Sequence, residues 1–578
     1  MEINGIYRIT VTDVNEDGAG FCRIDGMAVF VSGLLAGESA EVRIVSAEKN
    51  YAIGECVRRL NDSPERITPV CPSSEVCGGC TLAHVTFEEE NRIKQNSVKS
   101  AFRRAGLPFG LVEETVHGEN RCGYRNKLGV HASDDGFGLY RHGTNDVVPF
   151  AGCAICPDVM SRIVQFTNEN RHLLPDCGGI FVRTVSGGDV TVSADCAGNL
   201  TGYRNALKNA FPEVRDVVST RGANGVIRDE MGGITMEFST EAFRQVNAEA
   251  FALLLELVHG MAGAKSFRYA ADLYCGSGII GLTLAKRFPG AKFYGIEINS
   301  DAIRDAKANA ASNGIGNIRF FCGDAASFKE KIPKKELPEL VVVDPPRAGL
   351  SNPMRKGLLS LRADTVIYVS CNPQTLARDV KSLSDEYDVK RIVPVNMFPM
   401  TRHCECVVLL ERKNEKLRRF LANARLLAEM HITPLLYGSL GLELLTHEPL
   451  GADDIDILIP EVFLTERWDE FCGMLEKNGC TLTDAHEHTF TKDGVEYSYA
   501  KIEELEAFAG ISTADIAETE MDRTKFGLLS LEQYLAVYRA SSQDGYRIHT
   551  RQKKDFDKIA LIERKLREND AKSAPERK

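Results

Sequence analysis

The sequence lacks the features that mark membrane-spanning, secreted and repetitive proteins. It has no run of about 18 uncharged apolar residues, so we expect no membrane span. Its first residues, MEING, do not form a basic segment followed by an apolar one, so we expect no secretory signal. We find no internal repeat. With 578 residues of ordinary composition, the chain is expected to hold several globular domains and to be cytoplasmic.

Cysteine, by contrast, is plentiful. The chain contains 17 cysteines, a number that would indicate disulfides in a secreted protein. Without an export signal, the same number favours reduced thiols, a metal site or catalysis.

The net charge of −11 is unusual for a nucleic-acid enzyme, but it is unevenly distributed. Residues 413–578 hold 23 Lys and Arg against 31 Asp and Glu, a net charge of −8. The remaining 412 residues hold 47 against 50, a net charge of −3. A nearly neutral front part can still present a local basic face, which phosphate contacts require.

Short alternating apolar segments fill residues 1–60 and predict a small TRAM/OB-like barrel of about five strands. Such barrels often bind single-stranded RNA, although the pattern alone leaves RNA contact and a structural role equally open. Residues 61–235 are predicted to be an α+β domain. Its helix is opened by the capping pair Thr86 and Glu89 and runs through about Arg104.

The rest of the chain is predicted to be α/β. Strands and helices alternate in residues 236–412, which predicts a mostly parallel, doubly wound, Rossmann-like sheet. Residues 413–578 are predicted to form another α/β domain. Its polar tail, from about Asn569, is expected to be disordered.

Glycines follow the first strand of this Rossmann-like region. Residues 272–278 read DLYCGSG, and Gly281 completes a G-x-G-x-x-G pattern whose backbone can approach a ligand closely. Glu297 ends the next strand, where a carboxylate can accept ribose hydroxyls. Asp324 follows a third strand and is a candidate acceptor for an adenine amino group. The three markers predict a nucleoside cofactor without separating NAD from others, and no Lys-Ser/Thr phosphate loop accompanies them.

Three reactive side chains flank later strands. Cys371 follows the apolar run 365–369, at the strand end where open α/β sheets place their ligands. Asp344 ends the preceding strand, and Glu405 precedes the following one, 406–410. A lone cysteine there is more often a small buried hydrophobe. Its two carboxylate neighbours favour a thiol nucleophile with a nearby base.

These motifs resemble those of the RNA uracil-carbon-5 methyltransferase family, which makes 5-methyluridine, over about residues 1–412. The matching stretches are FRQVN (243–247), DLYCGSG (272–278), DPPRAG (344–349), SCNP (370–373), FPMT (398–401) and HCE (403–405). The resemblance implies that Cys371 is the nucleophile and Glu405 the general base. The residues that we assign to an S-adenosylmethionine site are Gln245, Tyr274, Gly276, Glu297, Asp324 and Asp344.

The chemistry of the reaction explains these residue types independently. Uracil carbon 5 is a poor nucleophile, and addition of a thiolate at carbon 6 makes it enolate-like. A thiolate suits this step because it attacks and leaves readily, and a carboxylate suits removal of the carbon-5 proton. One departure from the family is Asn396, where Asp is usual. We interpret this departure as tolerated, because the base itself is present.

The RNA partner is expected to be 23S ribosomal RNA. The tRNA-specific branch of the family typically lacks both the amino-terminal barrel and the cysteine cluster described next. Methylation of tRNA by the same chemistry is the first alternative, and an RNA-binding protein with a degenerate site is the second. Arg125 and Lys127 are candidates for phosphate contacts, with a solvated strand as the equally supported reading.

Four cysteines show metal-ligand spacing. Cys71, Cys77 and Cys80 are completed by Cys153 or Cys156, and four thiolates suit either zinc or an iron–sulfur cluster. Members of the uracil-carbon-5 methyltransferase family with this spacing carry a [4Fe–4S] cluster. Their fourth ligand is followed by one variable and then one aliphatic residue, as Cys153 is by Ala154 and Ile155. The resemblance therefore implies an iron–sulfur cluster, with a structural role because methyl transfer is not a redox reaction.

The last domain resembles the nucleotidyltransferase fold. Gly438-Ser439 matches its phosphate turn, and Asp454 and Asp456 face one side of a strand, as Mg²⁺ ligation requires. Glu496 is a candidate third carboxylate. The resemblance implies Mg²⁺ and a nucleotide, while an inactive fold used for binding is the alternative.

Overall fold

The computed structural model divides the chain into two compact units, residues 1–412 and 413–578. The residues it describes are all except 16–17, 75, 175, 197, 221–225, 240–243, 265, 447, 449, 453, 544–551 and 574–578, with the side chains of 552–553 and 569–573 also excluded. No helix in these described ranges is both long and apolar enough to cross a membrane.

The first unit begins with a six-stranded sheet. Its strands are β1 (Ile6–Thr10), β2 (Asp13–Val14), β3 (Ala19–Ile24), β4 (Met27–Ser32), β5 (Ser39–Ala47) and β6 (Tyr51–Arg59), in the order β1-β5-β6-β4-β3-β2. Alternation buries Val29, Val31 and Val42 on one face. The strand beyond the predicted five is β2, whose two residues are too short to show any alternation.

Residues 61–235 contribute helices and a second six-stranded sheet. The elements are α1 (Phe87–Arg104), β7 (Val116–His117), β8 (Lys127–Ser133), β9 (Gly136–Tyr140), β10 (Val147–Pro149), α2 (Asp158–Glu169), β11 (Gly179–Thr184), β12 (Val190–Ala194), α3 (Thr201–Ala210), β13 (Val214–Ser219) and β14 (Val226–Met231). The sheet has the order β10-β9-β8-β11-β12-β13. The predicted cap is confirmed, since the Thr86 side chain accepts a hydrogen bond from the Glu89 N–H.

One pair of cysteines departs from the expected reduced state. Cys177 and Cys196 form a disulfide with a Cα–Cα distance of 4.4 Å. They flank β11 and β12, whose antiparallel pairing brings the two residues together. Strand pairing, which sequence spacing alone does not reveal, therefore accounts for the link.

The Rossmann-like sheet has eight strands. The remaining elements of the unit are β15 (Ile234–Ser239), α4 (Ala248–Ala262), β16 (Tyr269–Leu273), α5 (Ile279–Arg287), β17 (Lys292–Glu297), α6 (Ser300–Ser312), β18 (Ile318–Cys322), α7 (Phe328–Lys331), β19 (Leu340–Val343), α8 (Asn352–Leu361), β20 (Thr365–Ser370), α9 (Pro373–Leu383), β21 (Tyr387–Asn396) and β22 (Glu405–Arg412). The strand order is β18-β17-β16-β19-β20-β22-β21-β7. The first five strands are mutually parallel, and β22 is antiparallel to both of its neighbours.

Alternate residues of these strands fill two separate apolar cores. In β19, Val342 contributes to one core, while Val341 and Val343 contribute to the other. Helix α1 packs on the second core through Val98 and Phe102. Because both faces of the sheet are covered, the central strands β19 and β20 are buried along their whole length and almost entirely apolar, as is typical of buried parallel strands.

The second unit is built on a seven-stranded mixed sheet. Its elements are α10 (Glu415–Ala428), β23 (Leu435–Leu436), α11 (Gly438–Thr446), β24 (Ile455–Ile459), α12 (Trp468–Lys477), β25 (Thr481–Asp484), β26 (Thr489–Lys492), β27 (Val495–Lys501), α13 (Glu504–Ala509), β28 (Ala517–Met521), β29 (Thr524–Leu528), α14 (Leu531–Gln543) and α15 (Gln552–Ser573). The strand order is β25-β26-β27-β24-β23-β29-β28, in which β27 and β24, and β23 and β29, are the parallel pairs. Of the tail predicted to be disordered from Asn569, residues 569–573 continue α15, whose charged residues have good helix propensity, and residues 574–578 lie outside the described residues.

Candidate active site

The three reactive side chains predicted from the sequence lie at one edge of the large sheet. Asp344 follows β19, Cys371 follows β20, and Glu405 begins β22. These strands are neighbours, with Ser370 of β20 paired to Cys406 of β22. Because β22 runs antiparallel to β20, its first residue lies at the edge where β19 and β20 end.

Glu405 occupies an apolar, desolvated position. Only 6% of the residue is exposed, and burial raises the pKa of its carboxyl to about 8. The nearby Asp344 raises this pKa further, while the Arg347 guanidinium opposes the shift. Burial also raises the pKa of Asp344, to about 7. A carboxyl with a pKa in this range is suited to exchange a proton near neutral pH.

Arg347 connects the reactive thiol to the rest of the edge. Burial raises the pKa of the Cys371 thiol, and Glu405 raises it further. Arg347 is hydrogen-bonded to Cys371 and opposes both effects. Its guanidinium also lies 3.5 Å from Nδ1 of His403, and burial together with this cation lowers the pKa of His403 to about 4. Arg347 is thus the cation that favours the thiolate form of Cys371.

A buried aspartate fixes the loop that carries Arg347. The side chain of Asp379, on α9, is fully buried and accepts hydrogen bonds from the Leu350 N–H at 2.7 Å and the Tyr368 hydroxyl at 2.8 Å. Arg355 neutralises it at 2.5 Å. A Cβ on Gly349, which has a φ of +74°, would lie 2.4 Å from an Asp379 oxygen, so glycine permits this close approach.

The glycine-rich loop after β16 has the backbone that ligand approach requires. Asp272 is buried and accepts the Gly281 N–H at 2.8 Å; a Cβ on Gly281 would lie 2.9 Å from the same oxygen. Burial raises the pKa of Asp272 to about 7. Tyr274 has a left-handed backbone with a φ of +67°. A Cβ on Gly276 would meet no described atom within 4 Å, so the loop borders open space.

Further carboxylates surround this open space at the ends of strands. Glu297 ends β17 and accepts the N–H groups of Gly276 at 3.2 Å and Asn299 at 2.9 Å. Asp324 follows β18, is exposed, and accepts the Ala326 N–H at 2.9 Å. Because carboxylates bordering a glycine loop accept the hydroxyl and amino hydrogens of a nucleoside, the residues present fit S-adenosylmethionine.

The remaining cofactor candidate precedes α4. Gln245 is half-buried, and its carbonyl accepts a hydrogen bond from Asn126 at 2.9 Å. Asn247 caps α4 by accepting the Ala250 N–H. Phe243, which belongs to the same motif, lies outside the described residues.

The four candidate ligand cysteines are neighbours. The thiols of Cys71 and Cys153 both raise the pKa of Cys77, and those of Cys71, Cys77 and Cys153 raise the pKa of Cys80. In both cases burial is the larger cause. Four thiols grouped in this way fit an iron–sulfur cluster in donor chemistry. The four sulfur atoms are not arranged as metal ligands, however. No three His, Cys, Asp or Glu side chains in the described ranges are placed to hold one metal ion.

The second unit contains an acidic cavity of about 600 Å³. It is lined in part by Asp456 of β24, Asp484 and Glu487 of the β25 hairpin, and Glu496 of β27. Asp456 packs against the Gly-Ser turn, because a Cβ on Gly438 would lie only 1.9 Å from its carboxylate oxygen. The predicted turn and strand carboxylate are thus adjacent. Asp484 and Glu487 belong to no motif recognised in the sequence, and the β25–β26 hairpin brings them to the cavity.

Sequence reasoning also missed two roles within its own motifs. Arg347 lies inside DPPRAG and Asp272 opens DLYCGSG, yet neither was assigned to the site. Asp272 could have been recognised in the sequence because it is a carboxylate within a strand whose pattern predicts burial at that position. The signal for Arg347 is a cation in the loop between the strands that carry Asp344 and Cys371.

Comparisons with known proteins agree with this geometry. Residues 230–413 match the family model described as tRNA (Uracil-5-)-methyltransferase, and residues 2–57 match the TRAM domain model. An uncharacterized RNA methyltransferase of Halalkalibacterium halodurans is 31% identical over 458 residues, covering 71% of this chain and 98% of the relative. One from Bacillus cereus is 32% identical over 456 residues, covering 71% and 98%.

A solved structure shares the fold. The crystal structure of Pyrococcus abyssi tRNA (uracil-54, C5)-methyltransferase in complex with S-adenosyl-L-homocysteine superposes with a TM-score of 0.55. The two sequences are 24% identical, and the match covers 70% of this chain and 99% of that chain. At this identity the likeness establishes the architecture of the first unit.

Proposed function

Because the chain belongs to the tRNA (uracil-5-)-methyltransferase family, we propose that it methylates ribosomal RNA through a covalent bond between Cys371 and the target uracil. The family and the amino-terminal TRAM domain predicted from the sequence are confirmed by the matches to both models and to the relatives. The protein is therefore an RNA uracil-5-methyltransferase that uses S-adenosylmethionine. The covalent route, the residue roles and the choice of RNA are our proposal.

One observation carries the covalent route. Cys371, Glu405, Asp344 and Arg347 meet at the edge of three adjacent strands, close enough that Arg347, Glu405 and Asp344 act on the pKa of Cys371, and Asp344 and Arg347 on the pKa of Glu405. Addition to a uracil ring requires a thiolate, which the neighbouring cation favours. Elimination requires a base, which the desolvated carboxyl can supply.

Each residue then has a defined part in the reaction. The Cys371 thiolate, favoured by Arg347, bonds to carbon 6 of uracil, and the carbon 5–carbon 6 π electrons move onto carbon 5 and oxygen 4. S-adenosylmethionine, when bound, supplies the electrophilic methyl group that carbon 5 takes. Glu405 accepts the carbon-5 proton, and the bond between sulfur and carbon 6 breaks to return the thiolate.

The cofactor would be held along the neighbouring strand ends. Glu297 is placed to accept ribose hydroxyls, Asp324 to accept an adenine amino group, and Gly276 to leave room for the ligand. Tyr274 lies in the loop after β16, next to Gly276, and we assign Gln245, just before α4, to the same site. Asp344 lies between this region and Cys371, which suits a carboxylate that faces both.

A trapping experiment tests the covalent route. RNA containing 5-fluorouridine has no carbon-5 proton to lose, so the wild-type enzyme with S-adenosylmethionine should form a stable protein–RNA adduct visible on a denaturing gel. Cys371→Ala should form no adduct and have no turnover. Cys472→Ala changes another half-buried cysteine, in the second unit, and serves as the matched control. Turnover retained by Cys371→Ala would overturn the mechanism.

Ribosomal RNA is favoured as the substrate by the TRAM domain together with the cysteine group. The Pyrococcus abyssi enzyme is named for uridine 54 of tRNA and shares the fold, so tRNA is the second candidate. Mapping 5-methyluridine in both RNAs from a deletion strain, with and without the wild-type or Cys371→Ala gene, decides between them. Loss confined to tRNA would refute the ribosomal assignment.

We further propose that Cys71, Cys77, Cys80 and Cys153 hold a [4Fe–4S] cluster. Their grouping and their thiol chemistry support it. Protein purified without air should be brown, absorb at roughly 400 nm and contain about four iron atoms per chain. Stoichiometric zinc without iron would overturn the assignment.

For the second unit we propose a Mg²⁺-dependent nucleotidyltransferase site. The contact between Gly438 and Asp456, and the hydrogen bond from Lys558 to Ser439 at 2.8 Å, place a cation and a carboxylate at the Gly-Ser turn. Radiolabelled nucleotides with Mg²⁺ should label an acceptor, and Asp454→Asn should abolish the labelling. Nucleotide binding without transfer would favour the alternative, an inactive fold used for binding.

A further inference from the structure

A buried polar cluster lies behind the active site and contacts the segment that leads to Glu405. It consists of Glu90 and Lys94 on α1 and Asn396 at the end of β21. Glu90 and Asn396 are fully buried and Lys94 is 1% exposed. Buried charges are retained only when they are paired and hydrogen-bonded, so such a cluster needs a structural or functional reason.

Lys94 uses all of its donors within this cluster. Its ammonium group donates to Glu90 Oε1 at 2.9 Å, to Asn396 Oδ1 at 2.5 Å and to the Phe398 carbonyl at 3.0 Å. A lysine has three N–H donors, so the group is completely satisfied. One of its three bonds fixes the backbone just after β21.

Glu90, one helical turn before Lys94, bonds to the same backbone segment. Its Oε1 accepts the Met400 N–H and the Asn396 side-chain amide, each at 2.9 Å, while Oε2 accepts from Arg121 at 3.1 Å. In the described part of the chain, the groups hydrogen-bonded to the Glu90 carboxylate are therefore all donors. This arrangement requires an amide at position 396, because an aspartate there would place a second carboxylate against Glu90 and remove a donor.

Two more bonds complete the restraint of this backbone. The Tyr124 hydroxyl donates to the Pro399 carbonyl at 2.9 Å, and the Leu82 N–H donates to the Met400 carbonyl at 2.8 Å. Met400 has a left-handed backbone with a φ of +67°, which is costly for a residue other than glycine. Such a conformation persists where surrounding bonds over-determine it, and it clusters at functional sites.

We propose that Glu90, Lys94 and Asn396 form a clamp that positions Glu405 for removal of the carbon-5 proton. The clamp fixes the backbone of residues 398–400, and Glu405 follows five residues after Met400 with its carboxylate at the reactive edge. None of the hydrogen bonds described for the three clamp residues involves Cys371 or the cofactor loop, so we class them as positioning residues. The inference rests on the proposed function, in which Glu405 is the base. It also gives Asn396, a departure from the family pattern, a specific reason.

The test separates the two chemical steps. Asn396→Asp should leave adduct formation by Cys371 within about twofold of wild type in single-turnover experiments with unmodified RNA, because Cys371 is fixed by β20 and α9. Resolution of the adduct should slow about 10- to 100-fold, the cost typical of misplacing a catalytic group by about 1 Å. The Cys371 adduct should therefore accumulate.

A milder variant guards against loss of folding. Tyr124→Phe removes only the hydroxyl that binds Pro399 and should slow adduct resolution several-fold. Tyr203→Phe is the matched control, since this buried hydroxyl bonds to Thr167 at 2.7 Å on a different helix. It should leave both steps unchanged.

The outcomes distinguish the clamp from the proposed function. If Cys371→Ala is inactive but Asn396→Asp and Tyr124→Phe resolve the adduct at the wild-type rate, the clamp is refuted while the covalent mechanism stands. Equal slowing of adduct formation and resolution would also refute it, because a merely structural role predicts that result. Turnover by Cys371→Ala would refute the covalent mechanism, and the role of the clamp with it.

Discussion

Replacement of Glu405 by glutamine is expected to stabilise the first unit while it abolishes turnover. Burial raises the pKa of this carboxyl from an ordinary value of about 4.5 to about 8. Between these two pH values the folded state holds the proton that the unfolded state has released. The unfolded chain therefore binds fewer protons, and the free energy of unfolding falls as pH rises through this window. Glutamine carries no such penalty.

The size of the effect follows from the shift. A difference of one pKa unit corresponds to about 1.4 kcal/mol, so Glu405 costs the folded state about 3 kcal/mol at pH 7 and about 5 kcal/mol at pH 9. At pH 4 the cost is near zero, because both states are protonated. The stability gained by Glu405→Gln should therefore grow with pH and level off above about pH 8.

The chain provides an internal reference for this measurement. Its single tryptophan, Trp468, lies in the second unit, so tryptophan fluorescence reports that unit alone. Hydrogen exchange of the β22 amides in increasing urea reports the first unit. The gain in β22 protection of Glu405→Gln over the wild type should be larger at pH 9 than at pH 5. The unfolding transition reported by Trp468 should be the same in both proteins. Glu330→Gln, an exposed glutamate on α7, is the control. If Glu405→Gln gave no gain in stability, or the same gain at every pH, the conclusion that Glu405 is a desolvated carboxyl would be refuted.

Three further outcomes test the surrounding structure. Arg347→Gln should move the acidic limb of the pH–rate profile to higher pH, because the cation that favours the Cys371 thiolate is lost; an unmoved limb would contradict this role. Asp379→Ala should lower the stability of the first unit by about 3–5 kcal/mol in urea unfolding, since it removes the buried partner of Arg355 and the acceptor of the Leu350 N–H and the Tyr368 hydroxyl; an unchanged stability would contradict this role. Gly438→Ala should abolish nucleotide labelling, because its Cβ would overlap the Asp456 carboxylate; unchanged labelling would remove Asp456 from that site.

Local patterns in the sequence predicted the strands and their ends well. Apolar runs bounded by glycine or a carboxylate gave β16, β17, β19 and β20, and Thr86 gave the start of α1. These features depend on neighbours in the chain, which a sequence displays directly. The placement of Asp344 and Cys371 at one edge followed from the rule that parallel strands end together.

Long-range pairing accounts for what the sequence did not reveal. The antiparallel insertion of β22 between β20 and β21 buries Glu405, whereas the sequence predicted only that Glu405 precedes a strand. Glu90 and Lys94 lie on the buried face of α1, in line with Val98, but their partners are about 300 residues away in the chain. Only the folded structure shows that these charges are satisfied rather than misplaced.

The pairing of β7 with β21 has a consequence for how the enzyme can be divided. Val116 and His117 supply the last strand of the catalytic sheet from a segment that precedes the region matched by the methyltransferase family model. A fragment cut at that region's start would keep the pairing of β21 with β22 but leave the outer edge of β21 unpaired at Val395 and Asn396, and an unpaired strand edge invites edge-to-edge association. The smallest piece able to fold and turn over therefore extends back through α1, well before the stretch by which sequence comparison recognises the enzyme.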